Sequence, residues 1–325
     1  MSSPDRDEEN ERSQTNRSDN DNKSEEGTES EKPKETEESE DSNGMVVFTY
    51  DDSPIEDYTQ TFSIHQEYEV PGNAAVNPGQ MGSSDSYLTP DQLEEMVDAG
   101  WDVLSHTYKH RALGKIRLDQ SLEPGDERVY VDRNRHGRFD EDPLVIFDEE
   151  NRIATEVAGR GSNDTGEFIE LTNSVSTYIS DTGYTKYPEW KIQEVLEKTD
   201  TQLAEWGFDV SGFVYPYGRY DGVAEEIVRD HYDAVVNHRW GGGLNEIEGL
   251  DPTTMRRMYI EEDAASEEDI EVFLDKAVEN DVLAIFGAHS QYETMTEERT
   301  RFTIESVLAR DLEITTLSEA MTRIN

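Results

Sequence analysis

The chain has 325 residues with 75 acidic and 29 basic side chains, a formal charge of -46 and no cysteine, a length that suits one large domain or two smaller ones. Phosphate binding rests on clustered Lys and Arg, and no such patch stands out, which argues against nucleic acid and anionic membrane surfaces as partners. Without thiols there are no disulfides, no thiol catalysis and no cysteine-bound zinc, so any metal must be held by histidine and carboxylate.

Residues 1–43 contain one apolar side chain, Met1, among 16 acidic and 6 basic residues. Such a stretch cannot bury enough surface to offset its ordering entropy and reads as a disordered acidic tail. Its start, MSSPDRDEEN, has no basic-then-apolar export pattern, and no run of the chain approaches the roughly 18 apolar residues of a transmembrane segment. The visible sequence therefore reads as cytoplasmic, whereas an upstream export signal would place it outside the cell or on its surface. The remaining residues keep 59 acidic and 23 basic side chains. Self-repulsion on that scale is screened in molar salt, where the Debye length is about 3 Å, so the composition points to a halophilic, haloarchaeal-type source.

From Met45 short apolar runs alternate with amphipathic helices. MVVFTY (45–50) predicts a buried strand. Thr89, Pro90 and Gln92 predict a capped helix with Leu93, Met96 and Val97 on one face and Gly100 as its stop. WDVLSH follows as a strand, then a long helix from about Pro188 to Trp206, strand GFVYP, a helix at about 221–230, and strands DAVVN and RRMYI. A Ser266-capped helix, strand VLAIFGAH, a helix near 297–309 and strand EITTL complete the series. Repeated strand-helix units imply a parallel sheet, open or closed into a barrel, with chemistry at the carboxyl ends of the strands. Residues 115–182 break the rhythm with period-two runs (RVYV, PLVIF, RIATEV, FIEL) between turn signals, which predicts a small β module inserted into an α/β domain formed by 44–114 and 183–325.

The candidate ligands all fall where strands end. Asp51 and Asp52 follow MVVFTY, His106 follows WDVLS, and His289 follows VLAIFGA. His106 and His110 are four apart, a spacing that on a helical turn puts both imidazoles on one face. One carboxylate with two histidines leaves room for water and a substrate oxygen, as in hydrolytic zinc sites. A second carboxylate can take the water's proton and an opposing imidazole can protonate the leaving group, and Asp51 and His289 are available for these tasks. His65, His136, His231 and His238 lack comparable context and read as structural or surface residues.

TYDDSP (49–54), SHTYKH (105–110), VYPYG (214–218) and FGAHS (286–290) resemble, in order, four motifs of the polysaccharide deacetylase family, also called NodB homology or carbohydrate esterase family 4. The resemblance implies a distorted (β/α) barrel of about seven parallel strands that removes N- or O-acetyl groups from an acetylated glycan. It implies Asp51 as catalytic base, Asp52, His106 and His110 as metal ligands, and His289 as general acid. Tyr217 would offer its backbone N–H to the oxyanion beside Pro216, and Trp240 would belong to a pocket wall. The donor set suits Zn2+, with Co2+, Ni2+ or Mn2+ as alternatives. Three departures stand out: Val214 where the family commonly has an arginine that orients the base, Ser53 in place of a glycine, and Gly287 where leucine is common. Two other functions fit the residues: hydrolysis of a non-carbohydrate amide, and glycan binding without turnover.

Overall fold

The computed structural model describes residues 44–238, 242–280 and 282–324. The acidic tail and Trp240 lie outside the described residues. In chain order the strands of the main sheet are β1 (Met45–Asp51), β2 (Asn73–Val76) and β3 (Asp102–Ser105). Six strands intervene: β4 (Ile116–Arg117), β5 (Arg128–Tyr130), β6 (Pro143–Phe147), β7 (Arg152–Asn163), β8 (Gly166–Leu171) and β9 (Tyr184–Lys186). The main sheet resumes with β10 (Val210–Phe213), β11 (Asn245–Glu246), β12 (Met258–Tyr259), β13 (Val282–Ala288) and β14 (Glu313–Ile314).

The main sheet runs β10-β3-β2-β1-β13-β11, with β12 also on β13 and β14 also on β1. All its pairings are parallel except that of β11 with β13. The result is a mixed α/β fold around a curled, largely parallel half-barrel sheet. Among the described residues its outer strands β10 and β11 do not pair with each other, so the sheet stays open. Strand β1 is buried along its whole length, with Val46, Phe48 and Tyr50 in one core cluster and Met45 and Val47 in another. A strand buried on both faces reads as a continuous apolar run, as MVVFTY does.

Among the described residues seven α-helices accompany the strands: α1 (Ser63–Glu67), α2 (Pro90–Asp98), α3 (Glu189–Glu205), α4 (Gly222–Arg229), α5 (Glu267–Asn280), α6 (Glu297–Leu308) and α7 (Leu317–Ile324). The cap expected of α2 is present as a reciprocal box, in which Thr89 Oγ1 accepts from Gln92 N and Gln92 Oε1 accepts from Thr89 N. Ser266 and Asp269 form the equivalent pair at α5. No described helix is long and apolar enough to cross a membrane.

Two expected strands are shorter than the sequence suggests. DAVVN contributes a single bridge, Val235 to Phe213, because Val235 N donates to Pro252 O instead of to a neighbouring strand. EITTL pairs only through Glu313 and Ile314, after which Thr316 Oγ1 accepts from Glu319 N and the chain turns into α7.

Strands β4 to β9 form a second, antiparallel sheet in the order β4-β9-β6-β7-β8-β5, with its own apolar cluster around Leu118, Val131, Ile146 and Ile169. Buried Asp142 ties it to the rest of the chain, accepting from Arg111 Nε at 2.7 Å and Nη2 at 3.2 Å, with Lys191 Nζ at 3.6 Å. Arg111 directly follows His110, so this link reaches the segment that carries the candidate ligands.

Candidate metal centre

Parallel strands bring their carboxyl ends to one edge, and the sequence-predicted residues gather there. Asp51 closes β1 and Asp52 follows it, His106 follows β3, Tyr217 lies beyond β10, and His289 follows β13. Eight described non-glycine residues have positive φ, and five of them line this edge: Asp52 (79°), Ser53 (55°), Thr107 (61°), His110 (57°) and Tyr217 (59°). Each such backbone costs on the order of 1 to 3 kcal/mol and persists where surrounding contacts impose it. Ser53 thus occupies a conformation that favours glycine, and its Oγ accepts from Asn77 N at 2.7 Å.

Residues 106–110 do not form the expected helical turn. Asn77 Nδ2 donates to the carbonyls of His106 and Thr107, and Thr107 Oγ1 accepts from Arg111 N at 2.8 Å. Side chains take the backbone partners a helix would need, and the loop bends left-handed at Thr107 and His110. Both imidazoles still converge on Asp52.

His106 Nδ1 donates to Val214 O at 2.8 Å, which leaves the Nε2 lone pair facing the cluster. That Nε2 lies 3.4 Å from Asp52 Oδ1, and His110 Nε2 lies 3.1 Å from the same oxygen. Ligand atoms of the three residues all lie within 4.8 Å of one another. Gln291 Nε2 donates to Asp52 Oδ2 at 3.0 Å and so fixes the carboxylate. Asp52 Oδ1 and His106 Nε2 are buried without a hydrogen-bond partner. Unsatisfied buried acceptors are costly, and a divalent cation would satisfy both at once. Burial, the largest influence on His110, pushes its pKa down to about 3, so its imidazole is neutral, as a ligand must be. The residues therefore fit a divalent metal.

Asp51 is paired with a residue that the sequence did not single out. Arg257, itself buried, donates through Nη1 to Asp51 Oδ1 at 2.8 Å and through Nη2 to Oδ2, and further to Thr49 Oγ1 and Tyr259 Oη, both at 2.8 Å. Burial opposes ionisation of Asp51, and the Arg257 guanidinium outweighs it, holding the carboxyl below the usual aspartate range. Val214 is packed in the core and offers the cluster its carbonyl. A Cβ at position 287 would stand 2.7 Å from Arg257 Nε and 2.8 Å from its Cδ. Gly287 thus leaves the space that Arg257 fills.

His289 faces the same carboxylate from the other side, its Nε2 3.8 Å from Asp51 Oδ2. Its Nδ1 lies 2.7 Å from Glu261 Oε1, which also accepts His289 N at 2.9 Å. Tyr259 and Tyr292 stack on its ring at centroid distances of 5.5 and 4.6 Å. Burial disfavours the imidazolium, but Glu261 outweighs that cost and the pKa is pushed up to about 9, leaving the ring protonated at neutral pH. Arg257, Tyr259 and Glu261 recur at every second position of RRMYIEED, so strand periodicity alone could have placed the three on one face.

Tyr217 packs against His110 at 4.2 Å between ring centroids, and Pro216 is buried beneath the loop. Buried His65 bonds Tyr50 Oη and His136 bonds Thr185 Oγ1, each at 2.8 Å, while His238 pairs with Glu225 and His231 with Asp200. These four stand apart from the cluster.

The family model described as polysaccharide deacetylase matches residues 38–136. The match supports the polysaccharide deacetylase family. It takes in Asp51, Asp52, His106 and His110, while Tyr217 and His289 lie beyond it. The putative polysaccharide deacetylase YxkH of Bacillus subtilis (strain 168) is 24% identical over 166 residues, 47% of this chain. The aligned part spans 59% of that relative's length. Similar solved structures include the Xyl-CE4 domain of a multidomain xylanase from the hindgut metagenome of Trinervitermes trinervoides, at 13% identity over 86% of this chain and 91% of that one, TM-score 0.47. A family 4 acetyl xylan esterase from Clostridium thermocellum in complex with cobalt is similar at 14% identity, 86% and 91% coverage and TM-score 0.46. A family 4 pseudoenzyme from Bacillus anthracis is similar at 10% identity, 85% and 65% coverage and TM-score 0.46.

Proposed function

We propose that the protein is a metal-dependent hydrolase that removes N- or O-acetyl groups from a polysaccharide. The observation that carries this reading is the pair of buried, partnerless ligand atoms Asp52 Oδ1 and His106 Nε2 beside Asp51 and His289. Asp52, His106 and His110 would hold the cation, with zinc favoured and cobalt, nickel or manganese as alternatives. When bound, such a cation lowers the pKa of water towards about 7 and polarises an acyl carbonyl.

Every other step falls to the chain's own groups. Asp51, kept ionised by Arg257, accepts a proton from the attacking water. Tyr217 N–H donates to the oxygen on which charge develops, an interaction worth about 2.7 to 4 kcal/mol in comparable sites. His289, held protonated by Glu261, delivers a proton to the departing amine or alcohol. Residues 44–114 and those after Lys186 form the catalytic part; the inserted sheet runs past the expected end at 182, because β9 (Tyr184–Lys186) pairs with β4 and β6. The acidic composition suits a salt-rich, haloarchaeal-type setting, where long-range self-repulsion is screened.

In molar KCl the protein is expected to release acetate from acetylated chitooligosaccharides or acetylated xylan, to lose that activity on chelation, and to recover it with zinc or cobalt. Release that continues undiminished after complete removal of metal would contradict the mechanism.

A further inference from the structure

The second sheet delivers two arginines to the candidate centre. They lie on the loop between β5 and β6, held from behind by buried residues. Asn134 Oδ1 accepts from Gly137 N at 2.9 Å, and its Nδ2 donates to Phe168 O at 2.5 Å. His136 is fully buried, bonded to Thr185 and packed edge-on to Tyr187 at 4.7 Å. The side chains on either side of His136 project towards Tyr217. Arg135 places its guanidinium carbon 4.1 Å from the centroid of the Tyr217 ring. Arg138 Nη1 donates to Tyr217 Oη and stands 3.5 Å from His110 Nδ1.

Both arginines are partly exposed, and among the described residues neither pairs with a carboxylate. In a chain with 75 acidic and 29 basic residues, two guanidinium groups left without acidic partners beside a hydrolytic centre call for a counter-charge from elsewhere. The planar guanidinium fork matches oxyanions bidentately, and contacts made through Nη1 alone, to a phenol and an imidazole, leave Arg138's other donors unspent.

We propose that Arg135 and Arg138 form an anion subsite at the mouth of the metal centre, and that the glycan acted on is acidic, with a uronate carboxylate or sulfate ester close to its acetyl group. The inference rests on the deacetylase reading for its substrate, but the subsite can be tested without turnover. Non-specific attraction cannot imitate it, because a net charge of -46 offers an acidic glycan no overall attraction and molar KCl screens long-range forces.

The test measures binding of three N-acetylated oligosaccharides of equal length, one neutral, one with uronates and one sulfated, to the cobalt-loaded full chain in molar KCl, with acetate release followed in parallel. Wild type is expected to bind at least one acidic oligosaccharide about tenfold or more tighter than the neutral one. The acidic ligand that wins identifies the anion. Arg135→Gln with Arg138→Gln should erase the difference while binding of the neutral ligand, which reports an intact fold, stays unchanged, and Arg138→Lys should retain part of it. Equal binding of all three by wild type, or a preference that survives the double substitution, would overturn the subsite. Preferential binding without acetate release would keep the subsite and remove the deacetylase reading, and release without preference would do the reverse.

Discussion

Replacing Arg257 by methionine is expected to lower the free energy of unfolding by about 3 to 5 kcal/mol at neutral pH, because it strands the buried Asp51 carboxylate without the guanidinium that pairs with both its oxygens. The pH dependence follows from the depressed pKa of Asp51. A carboxyl held below its unfolded value contributes stability that is present above the ordinary aspartate range and fades as pH falls through the folded value. The deficit of Arg257→Met should therefore shrink in acid, as denaturant melts at several pH values would reveal. Turnover should fall about a hundredfold through misplacement of the base, with metal binding retained. Gly287→Leu should reproduce much of this loss, since its side chain would occupy the space of the Arg257 guanidinium. A fully active, fully stable Gly287→Leu protein would show that Arg257 does not position Asp51.

Glu261→Gln should act on the other half of the site. In wild type, activity is expected to hold through neutral pH and decline as pH rises through about 9, where His289 loses its proton. Without the Glu261 charge the alkaline limb should move down by about one to three units. Stability follows the same sign: the imidazolium contributes fully below the unfolded histidine pKa of 6.5, and its contribution is lost as pH rises through about 9. An alkaline limb unmoved in kcat/KM would mean that His289 is not the acid.

Much of the fold and of the cluster's placement was legible in the sequence, for identifiable reasons. Asp51, Asp52, His106 and His289 stand at ends of apolar runs, and parallel strands carry their ends to one edge whatever the details of curvature. The cap of α2 was readable because Thr89 and Gln92 are local partners. Arg257, Glu261 and Gln291 were not singled out, because their partners Asp51, His289 and Asp52 are brought near only by the register of β12 on β13 and of β13 on β1. Arg135 sits in a stretch that reads as a turn, NRHG, and Arg138 directly follows it; both acquire meaning only once the second sheet is laid beside Tyr217. Spacing suggested a helical turn for His106 and His110, yet Asn77, far off in sequence, withdrew the backbone from it.

The most direct test of the central claim compares wild type with Asp51→Asn for bound metal and for acetate release on the same preparations in molar KCl. The account predicts one equivalent of zinc or cobalt in both proteins, with release abolished only in Asp51→Asn. Undiminished release by that variant, or a wild type that binds no divalent metal, would contradict a centre in which Asp52, His106 and His110 hold the cation and Asp51 takes the proton.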